Sequence, residues 1–310
     1  MSKLSSNKRN SLIEFYRFFF AMNVLIGHGL FPIDISYFGP DRISVEFFFV
    51  LSGYLFFNSL TKYQDMTVGK AALKMTASKI KPLLIPLVIG LISNMILNHI
   101  TNYPPYKIFR YLWYIPAMLF AFLLYTVLRV LIKNDRAFWV STLGICIFAT
   151  LLRFSGPEVL FFFDYARSVS AVSLGMLLAK ASTKNRIKSK WLWGALLIPV
   201  ALSTFLIVFY GLAENSRMYE AILDLVLYPL LIYITFKIDF NFPLFNYLGA
   251  LSFAIYAYQC PARLVYNIGV KSRWTPFILI IVLAVADDAI KRIIRYKKHN
   301  KKANIKEVIQ

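Results

Sequence analysis

LIEFYRFFFAMNVLIGHGLFP, residues 12–32, is the stretch on which the reading of this chain turns. It is long enough to cross the hydrocarbon core of a bilayer as a helix, yet it carries Glu14, Arg17 and His28. Lys3, Lys8 and Arg9 precede it, as basic residues precede the apolar core of a secretory leader. Its ionisable residues and the lack of a small-residue cleavage site favour a retained first transmembrane helix. Arg17 and His28 are 11 positions apart, which in a continuous helix places them on one face, separated by ~16 Å of rise. Glu14 falls on the same face, one turn before Arg17.

The remainder of the chain repeats the pattern. Its 310 residues are 58% hydrophobic, with 28 Phe and 19 Tyr, more apolar surface than a water-soluble domain can bury. Ten apolar stretches are predicted to span a membrane: 12–32, 43–61, 80–98, 109–132, 137–154, 159–181, 191–211, 219–236, 244–267 and 274–293. The net charge of +20 does not indicate nucleic acid, because the cations punctuate apolar runs rather than gather on one solvated face. With the N-terminus inside, 25 Lys and Arg fall on the cytoplasmic side, 7 in the outer loops and 3 within helices. Positive loops resist translocation, so the expected fold is an all-α integral membrane bundle of about ten helices with both termini cytoplasmic. Residues 1–310 form a single domain in this reading, with a basic cytoplasmic tail from about residue 294. Cys146 and Cys260 lie in apolar segments and read as small core residues.

An ionisable side chain in a spanning helix costs several kcal/mol unless it meets a partner or a cavity, so each is a candidate for function. Glu14 and Arg17 can be a local ion pair, as can Asp164/Arg167, Asp287/Lys291 and Asp288/Arg292. Of the three histidines, His99 lies at a predicted outer helix end and His299 in the basic tail. Only His28 is expected inside a helix, as a hydrogen-bonded core residue or as a proton-transfer group. Ser44 to Phe56, SVEFFFVLSGYLF, opens the second span; it places Glu46 near the outer leaflet, and its Ser52-Gly53 pair suits close helix packing. Arg263, beside Pro261, has no local acid and is a candidate contact for an anionic acceptor. No Walker loop, His-Glu-x-x-His or other metal-ligating motif is present, so no metal is expected.

These elements carry a resemblance. Ile13-Glu14-Phe15-Tyr16-Arg17 followed by ten residues and His28 resembles the first-helix signature of the acyltransferase 3 family of membrane proteins. Phe48 to Leu55 resembles that family's second-helix motif, Leu112-Trp113-Tyr114 its Leu-Trp-Phe element, and Leu248 to Tyr256 its late Leu-Gly-x-x-Ser-Tyr-x-x-Tyr element. The resemblance implies transfer of an acyl group, usually acetyl, from cytoplasmic acyl-CoA as donor co-substrate to a hydroxyl of a surface or lipid-linked glycan of the cell envelope. A bacterial cytoplasmic membrane is the expected location. It implies His28 as the catalytic histidine, with Arg17 and Glu14 lower in the same helix. Lys74, Lys79 and Lys81 stand where the family often has an Arg-rich cluster, and are expected to hold the CoA phosphates. Glu46, Trp113 and Arg263 are expected on the acceptor side. The chain departs from the pattern at Tyr111 and Gln259, where many members have His, and at Glu46, which replaces a frequent Asp. A transporter or flippase for a glycan precursor needs the same polar cavity, and a non-catalytic sensor can share the fold. Acyl-CoA binding separates these readings.

Overall fold

The computed structural model describes residues 10–30, 41–100, 112–155, 160–182, 190–209, 217–268, 272 and 274–309. The described residues are helical with short connections. In chain order the helices are α1 (Ser11–Gly27), α2 (Asp41–Leu60), α3 (Val68–Ile80), α4 (Leu84–Ile100), α5 (Tyr114–Leu131), α6 (Asp135–Ser155) and α7 (Leu160–Ser182). They continue with α8 (Lys190–Phe209), α9 (Arg217–Ile222), α10 (Tyr228–Thr235), α11 (Pro243–Ala257), α12 (Gln259–Ile268) and α13 (Trp274–Ile309).

Among the described residues, three helices are long and apolar enough to cross a membrane: the continuous Val68–Ile100, Tyr114–Leu131 and Asp135–Phe154. Shorter apolar helices stand beside them at Ser44–Leu60, Trp193–Leu206 and Pro243–Ala257. Their outer faces suit lipid. Ile85, Val88, Ile92 and Met95 of α4 and Val140, Leu143, Ile147 and Leu151 of α6 are all exposed, forming apolar faces that water would not tolerate. Three threonine hydroxyls within these helices are satisfied locally, as an apolar solvent demands. Thr142 donates to the Phe138 carbonyl at 2.8 Å, Thr150 to Cys146 at 2.7 Å and Thr204 to Val200 at 2.7 Å.

Glycine sets the tightest helix crossing. A Cβ on Gly53 of α2 would collide with the Val172 carbonyl of α7, and one on Gly175 of α7 with the Val50 carbonyl of α2. The Ser52-Gly53 pair is therefore a packing element, and Ser52 Oγ also lies 3.3 Å from Tyr114 Oη. An aromatic core of Phe20, Phe47, Phe49, Phe56, Phe122, Tyr125 and Tyr228 fills the centre of the bundle.

Several expected boundaries are corrected. The first span was expected to run to Pro32 with His28 inside it; α1 instead ends at Gly27 and His28 is its C-cap. Gly29 takes φ +66°, its N–H donates to Ile26 O at 2.9 Å, and Leu30 N–H reaches back to Leu25 O at 2.9 Å. This is a Schellman stop, sealed by contact between buried Leu25 and Leu30. The third span begins earlier, because α3 runs into α4 through a single 3₁₀ turn at Lys81–Leu83. The eighth contains a π-helical turn, Leu223–Leu227, between α9 and α10. The ninth breaks at Tyr258 (φ −81°, ψ 0°) into α11 and α12. The tenth continues as one 36-residue helix through the basic segment, which was expected to be a separate tail.

Candidate active site

Two polar regions mark the two ends of the bundle, and α1 runs from one to the other. At its start, the Asn10 side chain caps the helix by accepting from Leu12 N at 3.0 Å, and its amide donates to Thr235 O at 2.8 Å and Ile238 O at 2.7 Å. Ser11 Oγ donates to Asn246 Oδ1 at 3.0 Å and accepts from Phe242 N at 2.7 Å. One turn on, Glu14 is buried against Gly249 of α11, where any side chain would strike the Glu14 backbone and carboxylate. The late Leu-Gly element thus lets two helices meet around an acid. Arg17 Nη1 holds Glu14 Oε2 at 2.7 Å, as the i,i+3 spacing suggested, while the Arg17 side chain stays 30% exposed.

Arg17 opens onto a cleft of about 690 Å³ that α13 closes with Asp287, Asp288, Lys291 and Arg292. Lys291 pairs with Asp287 at 2.6 Å and Arg292 with Asp288 at 2.7 Å, and the Arg292 guanidinium lies 5.3 Å from the Tyr247 ring centroid. Asp287 Oδ1 is buried without a hydrogen-bond partner among the described residues. The pairs were legible as i,i+4 spacings. Their gathering around Arg17, 270 positions upstream of Asp287, was not.

The three expected phosphate-binding lysines are dispersed. Lys79 Nζ turns against the rings of Phe122 (4.8 Å) and Phe56 (5.4 Å), whereas Lys74 and Lys81 are exposed. Pro82 and Leu83, next to Lys81, border the cleft.

At the other end of α1, His28 is half-buried at the helix terminus and its carbonyl accepts a 2.6 Å hydrogen bond from Arg263 Nη1 of α12. Arg263, expected to await an anionic acceptor, is thus tied to the His28 backbone. Nearby, Asn23 of α1 donates to Ser44 Oγ of α2 at 2.5 Å, which fixes the start of α2 beside the end of α1.

Glu46 lies two residues beyond Ser44 and belongs to a buried charge ladder that sequence reasoning missed. Arg167 Nε of α7 donates to Glu46 Oε1 at 2.5 Å, and Arg153 Nη2 of α6 lies 3.4 Å from the same oxygen. Arg153 also pairs closely with Asp224 of the π-helical turn. All four side chains are at most 3% exposed. Asp164, expected to be the partner of Arg167, is more distant at 3.8 Å and 32% exposed. Arg167 also lies over Trp113, 5.2 Å from its ring centroid, so two of the expected acceptor-side residues, Glu46 and Trp113, meet through it. The only sequence signal was the presence of ionisable residues in apolar helices; which acid meets which arginine depends on helix packing.

Neither a curated protein nor a solved structure matches the chain. Residues 10–286 match the family model described as "Acyltransferase domain", a span that includes α1, the α11 side of the cleft and the whole charge ladder and ends just before Asp287, and the chain belongs to the acyltransferase 3 family.

Proposed function

We propose that this membrane protein takes an acyl group, acetyl in the simplest case, from cytoplasmic acyl-CoA and delivers it to a hydroxyl of a surface or lipid-linked glycan. Family membership supports acyl transfer to a glycan-type acceptor. The observation that carries the finer reading is the arrangement along α1: Arg17 opens onto a charged cleft at one end and His28 caps the other. In this reading the cleft end is cytoplasmic, as the concentration of Lys and Arg there suggests, and the membrane is a bacterial cytoplasmic membrane. Arg17, Lys291 and Arg292 supply positive charge to the CoA portion, with the Lys81 turn at the rim, while the thioester arm follows α1 toward His28.

His28 then works in one of two ways. As a general base, its imidazole takes the proton of the acceptor hydroxyl while the oxygen attacks the thioester carbonyl; the C–S bond breaks and the thiolate recovers the proton. As a nucleophile, it takes the acyl group with loss of thiolate, and the acceptor oxygen then displaces the imidazole as the hydroxyl proton passes to the thiolate. Both routes end in ester and free thiol. His28→Ala, assayed with purified protein in lipid, is expected to bind acyl-CoA with parental affinity and lose at least ~10²-fold in transfer rate. Parental transfer by this variant would remove His28 from the chemistry.

A further inference from the structure

The cleft beside Arg17 is graded from mouth to floor. Along α13, side-chain exposure falls from 60% at Arg292 and 26% at Lys291 to 3% at Asp287, which sits four residues, ~6 Å of helix rise, further in. The facing wall is α11, which runs beside α1 from the Ser11–Asn246 contact to the Glu14–Gly249 contact. Asn246 and Tyr247 therefore stand at the mouth, and Ala250 and Ala254 follow at helical spacing toward the His28 end. The order from mouth to floor is exposed cations, buried carboxylate, small apolar side chains. Asp287 is the member left incomplete. It lines the cleft and its Oδ2 holds Lys291 at 2.6 Å, but its Oδ1 is buried without a hydrogen-bond partner among the described residues. An acceptor kept from both water and protein donors is costly, and a ligand N–H or O–H that reaches it recovers the loss.

Acyl-CoA presents its groups in a matching order: phosphates, then the pantetheine arm with its hydroxyl and amide N–H groups, then the thioester. We propose that Asp287 is a specificity-determining residue that recognises the pantetheine arm, accepting a hydrogen bond from an amide or hydroxyl of the arm while Lys291 and Arg292 meet the phosphates. A carboxylate repels phosphate, so Asp287 keeps the phosphates at the mouth and admits only the neutral arm. Beyond it the arm passes Ala250 and Ala254, whose small side chains leave it room, with the acyl end directed toward His28. Asp287, Asp288, Lys291 and Arg292 lie beyond the residues that match the family model, so membership assigns them no role. The inference rests on the acyl-transfer reading for the identity of the donor.

The test compares two ligands on the full-length protein in lipid nanodiscs by titration calorimetry: CoA, and 3′-phospho-ADP, the nucleotide half that lacks the arm. The parental protein should bind both. Asp287→Leu should weaken CoA binding about tenfold, the scale of losing a hydrogen bond to a charged group. The same variant should bind 3′-phospho-ADP unchanged or more tightly, because it frees Lys291 from its acid. Asp287→Asn keeps an accepting oxygen and should retain most of the CoA affinity. A merely structural role would weaken both ligands alike. Ala250→Leu narrows the path of the arm without touching a charge; it should weaken CoA and spare 3′-phospho-ADP, and it decides the matter if Asp287→Leu fails to fold. Unchanged CoA affinity, a parallel loss for both ligands, or no binding of 3′-phospho-ADP to the parental protein overturns the proposal. The expected split in a protein that transfers no acyl group would keep Asp287 as the reader of the arm and remove the acyl-transfer reading. Transfer from acyl-CoA that ignores both substitutions would do the reverse, and a parental protein that does not bind CoA would overturn both.

Discussion

His28 owes its position to Gly29. His28 still donates its N–H to Val24 O, but the left-handed residue after it stops the helix and leaves His28 at the boundary, its carbonyl anchored by Arg263. A Cβ at Gly29 meets nothing within 4 Å, so any penalty at this position comes from the backbone alone. Gly29→Ala is expected to lower stability by about 1 kcal/mol, the order of the left-handed penalty for an L-residue. Because the stop would loosen, acyl transfer should fall further than the melting shift explains, while Gly29→Asn, which tolerates that conformation, should retain more of both. A melting curve and a transfer rate on the two variants check this; equal behaviour of Ala and Asn would show that φ at this position is immaterial.

Among the elements, the α2/α7 crossing has the least room. Gly53 and Gly175 each face a carbonyl of the opposing helix, so the backbones touch without side chains between them. Gly53→Ala must push α2 from α7, and the ladder that joins them, Glu46 to Arg167, lies further along the same pair of helices. A loss of about 1–3 kcal/mol, the usual range for overpacking, is expected as a lower thermal midpoint in detergent. Gly144→Ala on α6, where an added Cβ meets nothing, is the control: it should be neutral or slightly stabilising, since glycine costs roughly 0.5–1 kcal/mol within a helix. Equal destabilisation by both substitutions would mean the crossing is not tight.

On the scale of the whole molecule, the question is which charges meet the donor. Lys74, Lys79 and Lys81 are adjacent in sequence but diverge in space, whereas Arg17 and Arg292 are distant in sequence and share one cleft. Arg292 is 60% exposed and its partner Asp288 is not fully buried, so Arg292→Gln should be tolerated. It is expected to weaken acyl-CoA binding by about two- to fivefold at low ionic strength, the scale of an exposed charge contact. The effect should fade as salt screens it. Lys74→Gln should change affinity little. The reverse ranking, read by titration at two salt concentrations, would return the donor site to the lysines.

What the sequence determined by itself was whatever depends on composition, order and short spacing: helices apolar enough for lipid, the acyltransferase elements, and the ion pairs Glu14/Arg17, Asp287/Lys291 and Asp288/Arg292. Those pairs are separated by three or four positions, so a single helix is enough to bring them together. Tertiary structure alone decided the rest. Glu46 left its own helix for Arg167 and Arg153, Asp224 was placed in a π-helical turn, and Lys79 was set against two aromatic rings. The physical reason is that a buried charge is matched by whichever opposite charge packing brings near. In a bundle whose helices touch through glycine and carbonyl oxygen, a partner more than 100 residues away can be the nearest one.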